Sequence, residues 1–119
     1  MSAFIRIALP ATVLLLAAPA VAQPAPVNDP APGYSSLLRS DYSSAEREIR
    51  ASKGSQVDPA STINLGIALA QSGRSDEAIK AFRQVLMQDD LEMVLANGQT
   101  AMSHDVARGA LAAIEGRNR

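Results

Sequence analysis

The chain has 119 residues, so it has room for one domain at most. Its 11 Lys and Arg against 12 Asp and Glu give a formal net charge of −1, which leaves no basic surplus to neutralise phosphates and excludes a nucleic-acid-binding protein. There is no cysteine, which excludes disulfides, thiolate metal sites, a cysteine nucleophile and a lipoprotein anchor.

The first 22 residues have the pattern of a signal peptide that directs export. Arg6 supplies a positive charge, residues 7–18 are mostly apolar, and Ala20-Val21-Ala22 offers a cleavage site that leaves Gln23 as the new N-terminus. An uncleaved membrane anchor is the alternative, but the apolar run is shorter than the ~20 residues that a spanning helix needs. We therefore expect a periplasmic or secreted protein with no membrane span after cleavage.

Residues 23–32 (QPAPVNDPAP) are rich in proline, which lacks the amide hydrogen that helices and strands require. An extended, solvated linker is therefore expected here. Two interpretations stay open. The linker either holds the domain away from a membrane or cell wall, or it is a disordered remainder after cleavage.

Two helical segments are expected after the linker. Residues 34–39 predict a short turn or helix, and residues 45–52 predict a longer helix that Gly54 ends. Glu46 and Arg50 stand four residues apart in the longer helix, which predicts an ion pair on its solvated face.

A pair of antiparallel helices is predicted next. Asp58-Pro59 indicates a helix start, because an Asp at the N-cap accepts amide hydrogen bonds and Pro suits the first helical position. The helix that follows is apolar around most of its circumference, so we expect it to be buried. Gly73 is expected to end it. Ser75 is expected to cap the second helix, with Asp76 and Glu77 in its first turn, where the helix dipole favours negative charge. The pair forms an αα-hairpin.

The segment near 92–102 predicts a small β-hairpin. Asn97-Gly98 lies between two β-prone runs, and both residues of a two-residue hairpin turn need a positive φ angle, which Asn and Gly adopt most readily. We predict the two strands over 92–96 and 99–102. Such a hairpin must pack on the helices, because an isolated one is only marginally stable.

A last helix is predicted to follow the β-hairpin. It starts at Ser103, whose side chain is expected to cap it, and it ends near Glu115, before Gly116. Residues 117–119 are expected to fray. The folded domain would therefore run over 33–116.

The predicted αα-hairpin resembles a tetratricopeptide repeat. Leu65 and Gly66 in its first helix, and Ala78 and Phe82 in its second, fall at the spacing of that family's motif. The repeat would run over 59–92, which is the expected period. The resemblance implies that the two small residues let the helices approach closely and that the aromatic ring fills the space between them.

The resemblance covers this one unit well, and residues 41–49 resemble the second half of a preceding repeat. The Asn-Gly hairpin departs from the family pattern. In layout the chain is similar to small exported bacterial proteins of the tetratricopeptide type. This similarity implies a mainly α fold with about one and a half TPR-like αα-hairpin repeats, followed by a small β-hairpin and a C-terminal helix.

The resemblance also implies a function. In this family the first helix of each repeat lines a concave groove that receives a protein partner, and the matching positions here include Ile63 and Ile67. This apolar face either binds a hydrophobic partner helix or is covered by Leu37, Leu38 and the C-terminal elements. We expect a non-enzymatic protein-interaction or scaffolding module of the cell envelope. The alternative is a self-associating structural or stress-related envelope protein whose partner is a second copy.

No pattern in the sequence points to catalysis, a cofactor or a metal ion. Ser103-His104-Asp105 has the residue types of a catalytic triad, but side chains adjacent in the chain cannot converge as a triad must, and a helix start explains them. His104 is the only histidine, and no second ligand stands at a metal-binding spacing. Asp89, Asp90 and Glu92 lack the ligand spacing of a calcium loop.

The signal peptide gives the first testable prediction. N-terminal sequencing of the exported protein is expected to show a chain that begins with Gln23. Signal peptidase requires small residues at two positions before the cleaved bond, which Ala20 and Ala22 provide, and it cleaves after Ala22. Ala20→Leu is the matched control and should block cleavage. A parent protein that starts at Met1 would contradict the prediction.

Overall fold

A computed structural model describes residues 31–54 and 57–117. The predicted signal peptide, its cleavage site and the linker up to residue 30 lie outside the described residues. The described part is mainly helical and also contains a two-stranded antiparallel sheet, so the expected combination of helices, a small β-hairpin and a C-terminal helix is confirmed. None of its helices is both long enough and apolar enough to cross a bilayer. In chain order its elements are α1 (Tyr34–Leu38), α2 (Tyr42–Ala51), α3 (Pro59–Gln71), α4 (Ser75–Met87), β1 (Glu92–Val94), β2 (Thr100–Met102) and α5 (Ser103–Arg117).

Helix α3 is the central element and packs against each of the other four helices. The Asp58 side chain accepts hydrogen bonds from two amides of its first turn, and Pro59 is its first residue. At its other end Gly73 adopts a φ angle of 82°, and the Gly73 amide donates to the carbonyl oxygen of Ala70 at 3.1 Å. Both predicted boundaries of this helix are therefore confirmed.

Helix α2 begins at Tyr42 rather than at Ala45. The reason is an N-cap at Asp41. The Asp41 side chain accepts a hydrogen bond from the Ser44 amide at 3.1 Å, which satisfies one of the free amides at the helix start. The short segment before it forms helix α1, as expected.

Helix α4 begins at Ser75, but the prediction that Ser75 caps it is wrong. Ser75 lies inside the helix, and Arg74, at the cap position, makes no side-chain cap hydrogen bond. The close spacing of the two helices causes this, because Gly73 and Arg74 complete the C-terminal turn of α3 and α4 follows directly. Asp76 and Glu77 lie in the first turn, as predicted.

The β-hairpin is present, but its turn differs from the predicted one. The Leu95 amide donates to the Gln99 carbonyl oxygen at 2.7 Å and the Gly98 amide to the Leu95 carbonyl oxygen at 2.8 Å, so residues 96–98 form a three-residue loop. Gly98 has a φ angle of 87°, whereas Asn97 does not have a positive φ angle. The Asn97 side chain instead accepts a hydrogen bond from the Gln99 amide at 3.0 Å. A three-residue loop that ends in a left-handed glycine also fits the strand twist, and it shortens both strands.

Helix α5 is capped by a residue outside the helix. The His104 amide donates to the Asp90 carboxylate at 2.9 Å, while the Ser103 hydroxyl accepts a hydrogen bond from the Leu91 amide at 3.0 Å. The prediction that Ser103 caps this helix is therefore wrong, because its side chain holds the segment that enters β1.

Helix α5 is also longer than predicted. It runs to Arg117, because Gly116 does not adopt the positive φ angle that would end the helix. Residues 118–119 of the predicted frayed tail lie outside the described residues.

Gly66 and Phe82 form a close contact between α3 and α4. A Cβ atom at Gly66 would lie 2.7 Å from two carbons of the Phe82 ring, so only glycine leaves room for the ring in this position. Around this contact the core consists of aliphatic and small side chains, including Ile63, Ala78 and Val85.

Two Gly→Ala substitutions should have opposite effects on stability. Gly66→Ala is expected to lower the free energy of unfolding by about 1–2 kcal/mol, because overpacking against Phe82 outweighs the gain in helix propensity. Gly109→Ala, the matched control inside α5, should raise it by about 0.5–1 kcal/mol, since a Cβ atom there meets nothing within 4 Å. Urea unfolding followed by circular dichroism measures both. A Gly66→Ala variant at least as stable as the parent would contradict the packing described.

Candidate protein-interaction surface

A groove of about 230 Å³ lies on α3 between α2 and α4, and we call it the α2–α4 groove. Its floor is apolar, because Leu69 and Ala81 are buried and Leu65 is half-buried. Its rim is polar and charged. The α4 residues of the lining recur every three or four positions, which places them on one side of the helix. The lining consists of Arg50 from α2, Leu65 and Leu69 from α3, and Glu77, Lys80, Ala81 and Gln84 from α4.

Arg74 forms ion pairs with two carboxylates beside this groove. Its Nη1 atom lies 2.7 Å from Glu46 Oε1, while its Nε and Nη2 atoms donate to the two carboxylate oxygens of Glu77 at 2.7 and 2.8 Å. Two parallel hydrogen bonds of this kind fix the orientation of the guanidinium relative to the carboxylate, in addition to the attraction between their charges. Arg74 therefore connects α2 to the start of α4 and occupies both acidic side chains.

The arginines also keep these two carboxylates ionised. Hydrogen bonds from Arg50 and from Arg74 hold the pKa of Glu46 below its ordinary value, although partial burial opposes them. The hydrogen bonds from Arg74 lower the pKa of Glu77 in the same way. At neutral pH both carboxylates are therefore charged and already paired.

The remaining charge on the groove rim is positive. Arg50 pairs with Glu46 through its Nε atom at 2.9 Å, which confirms the predicted ion pair. The terminal nitrogens of Arg50 make no hydrogen bond within residues 31–54 and 57–117. Lys80 has no ion pair within 4 Å among the same residues. Two cationic groups on the rim are thus available to a partner.

A second depression, of about 310 Å³, lies at the turn between α3 and α4. All of its lining residues, 73–77, are consecutive in the chain. It is therefore the surface of a single turn, and most of its side chains are charged or small. We do not assign it a role.

The predicted partner face at Ile63 and Ile67 is not accessible. Ile63 is 0% exposed and Ile67 is 4% exposed, and both belong to the core. Helices α1 and α5 pack against α3, and Leu37 of α1 joins the same core. This face is covered internally because so small a domain needs the apolar area for its own core.

The four residues of the repeat motif lie in two neighbouring helices. Gly66 and Phe82 are in direct contact, and Ala78 is fully buried one turn before Phe82. Leu65 lies on the floor of the α2–α4 groove, a position that its role in the motif does not indicate. The sequence shows Arg50 and Lys80 only as polar residues of two separate helices. Their common place on the groove rim depends on the packing of those helices.

The Ser-His-Asp trio at the start of α5 does not converge. The Nε2 atom of His104 lies 2.8 Å from the carbonyl oxygen of Gln88, while the Asp105 carboxylate pairs with Arg108 at 3.0 Å. No group of three or more His, Asp or Glu side chains in the described part of the chain is placed to hold a metal ion.

The paired carboxylates predict a loss of stability in acid. Their pKa values are lower in the folded protein, so their contribution is complete above the ordinary Glu value of 4.5 and is lost as the pH falls through the folded values. Arg74→Gln should therefore reduce the difference in urea midpoint between neutral and acidic pH. Arg108→Gln is the control, because its ion pair with Asp105 stays within one exposed helix face. An equal effect of both variants would contradict the prediction.

No protein-family model matches the chain, and no curated protein or solved structure shows significant similarity to it.

Proposed function

We propose that this protein is an exported, non-enzymatic, TPR-like protein-interaction or scaffolding module of the cell envelope. The observation that carries the proposal is the α2–α4 groove, which combines an apolar floor with a rim on which Lys80 and the terminal nitrogens of Arg50 can bind a partner. Protein-recognition surfaces have this arrangement of an apolar centre within a polar border.

The TPR-like part of the proposal rests on the spacing of the motif residues, and the helix order is compatible with it. Helix α2 packs on α3, and α5 packs on both α3 and α4. In stacked helical repeats each hairpin is flanked in this way by elements of its neighbours, because a single unit cannot bury its own apolar faces. The contact between Gly66 and Phe82 also corresponds to the role that the repeat motif gives those positions.

Export is supported by the leader pattern of residues 1–22. Cysteine is absent, so the chain would neither form nor lose disulfides in an oxidising compartment. The protein would depend on packing alone for its stability there.

Binding is favoured over catalysis by the size and chemistry of the groove. Its volume of about 230 Å³ is below the ~300–1,000 Å³ typical of sites that enclose a small-molecule ligand. The only histidine lies elsewhere, with a ring nitrogen 2.8 Å from a backbone carbonyl oxygen. A shallow surface with a few charges is better suited to part of another protein.

A second candidate function is self-association, and the exposed apolar residues favour it. Met87 is 87% exposed, and Leu91 and Met102 are also exposed. All three lie within the stretch that joins the end of α4 to the start of α5. Sedimentation of the purified protein tests this candidate, and a monomer at high concentration would eliminate it.

Cross-linking in intact cells tests the main proposal. A tagged full chain is expected to yield one reproducible adduct with a different envelope protein, which mass spectrometry identifies and which the purified protein then binds. The matched control lacks residues 2–22, stays inside the cell and should lose the adduct. Adducts with itself alone would support self-association, and a reproducible absence of adducts would contradict both candidates.

A further inference from the structure

We propose that the α2–α4 groove binds a partner segment in which a single apolar side chain stands next to a carboxylate. This inference rests on the proposed function and specifies the chemistry of the partner. Three properties of the groove support it: the floor, the charge that remains on the rim, and the side chain that sets the sign of this charge.

The floor accepts one apolar side chain. Leu69 and Ala81 form its buried part, and Leu65 is half-buried, so an inserted side chain would remove more apolar surface from water. The volume of about 230 Å³ is too small for a typical small-molecule ligand. It suits one anchoring side chain of an extended or helical segment.

The rim prefers an anion. Lys80 has no ion pair within 4 Å among the described residues, and Arg50 uses only its Nε atom for Glu46. The only acidic residue of the lining, Glu77, is held at two points by Arg74. Arg50, Arg74 and Lys80 stand against only two carboxylates, Glu46 and Glu77. A carboxylate beside the apolar anchor would therefore meet a surplus of one positive charge, with donors on Lys80 and on the terminal nitrogens of Arg50.

Arg74 determines this polarity. It pairs with Glu46 on α2 and with Glu77 on α4 without lining the groove itself, and together with Arg50 it balances their two negative charges, which leaves the positive charge of Lys80. Without Arg74, the same two carboxylates would oppose an acidic partner. The whole chain has a net charge of −1, so the positive rim is a local feature rather than a property of the whole protein.

The anion is a protein carboxylate rather than a nucleic-acid phosphate. Phosphate backbones are bound by several Lys and Arg side chains that follow the strand, often with aromatic side chains on which bases stack. The groove has two cations and no aromatic residue in its lining. A single side-chain carboxylate matches its charge and its size.

A peptide titration tests the proposal. The probe is a short acetylated peptide with one leucine flanked by glutamates, titrated into the ¹⁵N-labelled full chain. We expect a Kd of about 0.1–1 mM, as is usual for so small a contact, with the largest amide shifts at Leu65, Lys80 and Ala81. Matched peptides with lysine in place of glutamate, or serine in place of leucine, should bind at least about fivefold more weakly.

Variants of the protein locate the site. Lys80→Glu should weaken the binding of the acidic peptide roughly tenfold, whereas Lys80→Arg should keep it within about threefold, because it preserves the charge. Arg83→Glu is the matched control, since it makes the same change of charge on an exposed residue of α4 outside the groove lining. Arg74→Gln should reduce the preference for the acidic peptide over the lysine peptide.

The proposal is overturned if the peptide does not bind at millimolar concentration, if the amide shifts lie outside the groove, or if Arg83→Glu weakens binding as much as Lys80→Glu. Equal binding of the leucine peptide and the serine peptide would also overturn it, because the apolar floor would then have no role. A cellular partner that cross-links at another surface would disprove this inference and leave the proposed function intact.

Discussion

The fold depends on the contact between the Phe82 ring and the backbone of Gly66. This contact lets α3 and α4 lie close together, and α3 then becomes the helix against which every other helix packs. The chain has no tryptophan and no cysteine, and its two tyrosines, Tyr34 and Tyr42, are only partly buried against the core. Phe82 is therefore the one buried aromatic ring among the described residues. Small buried side chains such as Ala78 and Ala81 complete the interface between α3 and α4. They let the two helices pack closely, so the interface is stabilised by dense van der Waals contact between small groups.

The groove is a direct result of this arrangement. Helices α2 and α4 both pack on α3, and each contributes charged side chains to the rim around Leu65 and Leu69. Arg74 lies at the start of α4 and reaches back to Glu46, so the end of one helix hairpin also sets the charge next to the groove. The short turn between α3 and α4 thus belongs to the fold and also to the surface proposed for recognition.

Local signals predicted most of the secondary structure. Asp58-Pro59 and Gly73 gave the ends of α3, and Asn97-Gly98 gave the place of the β-hairpin, because capping and turn chemistry act over a few residues. The cap of α5 was missed because Asp90 lies 14 residues before His104. The groove was missed for a related reason: Arg50 and Lys80 become neighbours only after three helices have packed. The apolar stripe with Ile63 and Ile67 was visible in the sequence, but periodicity cannot distinguish a core face from a binding face.

The cap of α5 by Asp90 divides the β-hairpin into two parts with different tolerance to change. At its base, the His104 amide donates to the Asp90 carboxylate and the Leu91 amide donates to the Ser103 hydroxyl. The start of α5 is therefore capped only when the segments before β1 and after β2 lie side by side. Its tip at Asn97 and Gly98 is exposed. Extra residues inserted at the tip would lengthen a solvated loop, whereas the same insertion at the base would separate a helix from its cap. The tip is therefore the natural position for an epitope or a reporter peptide in this protein.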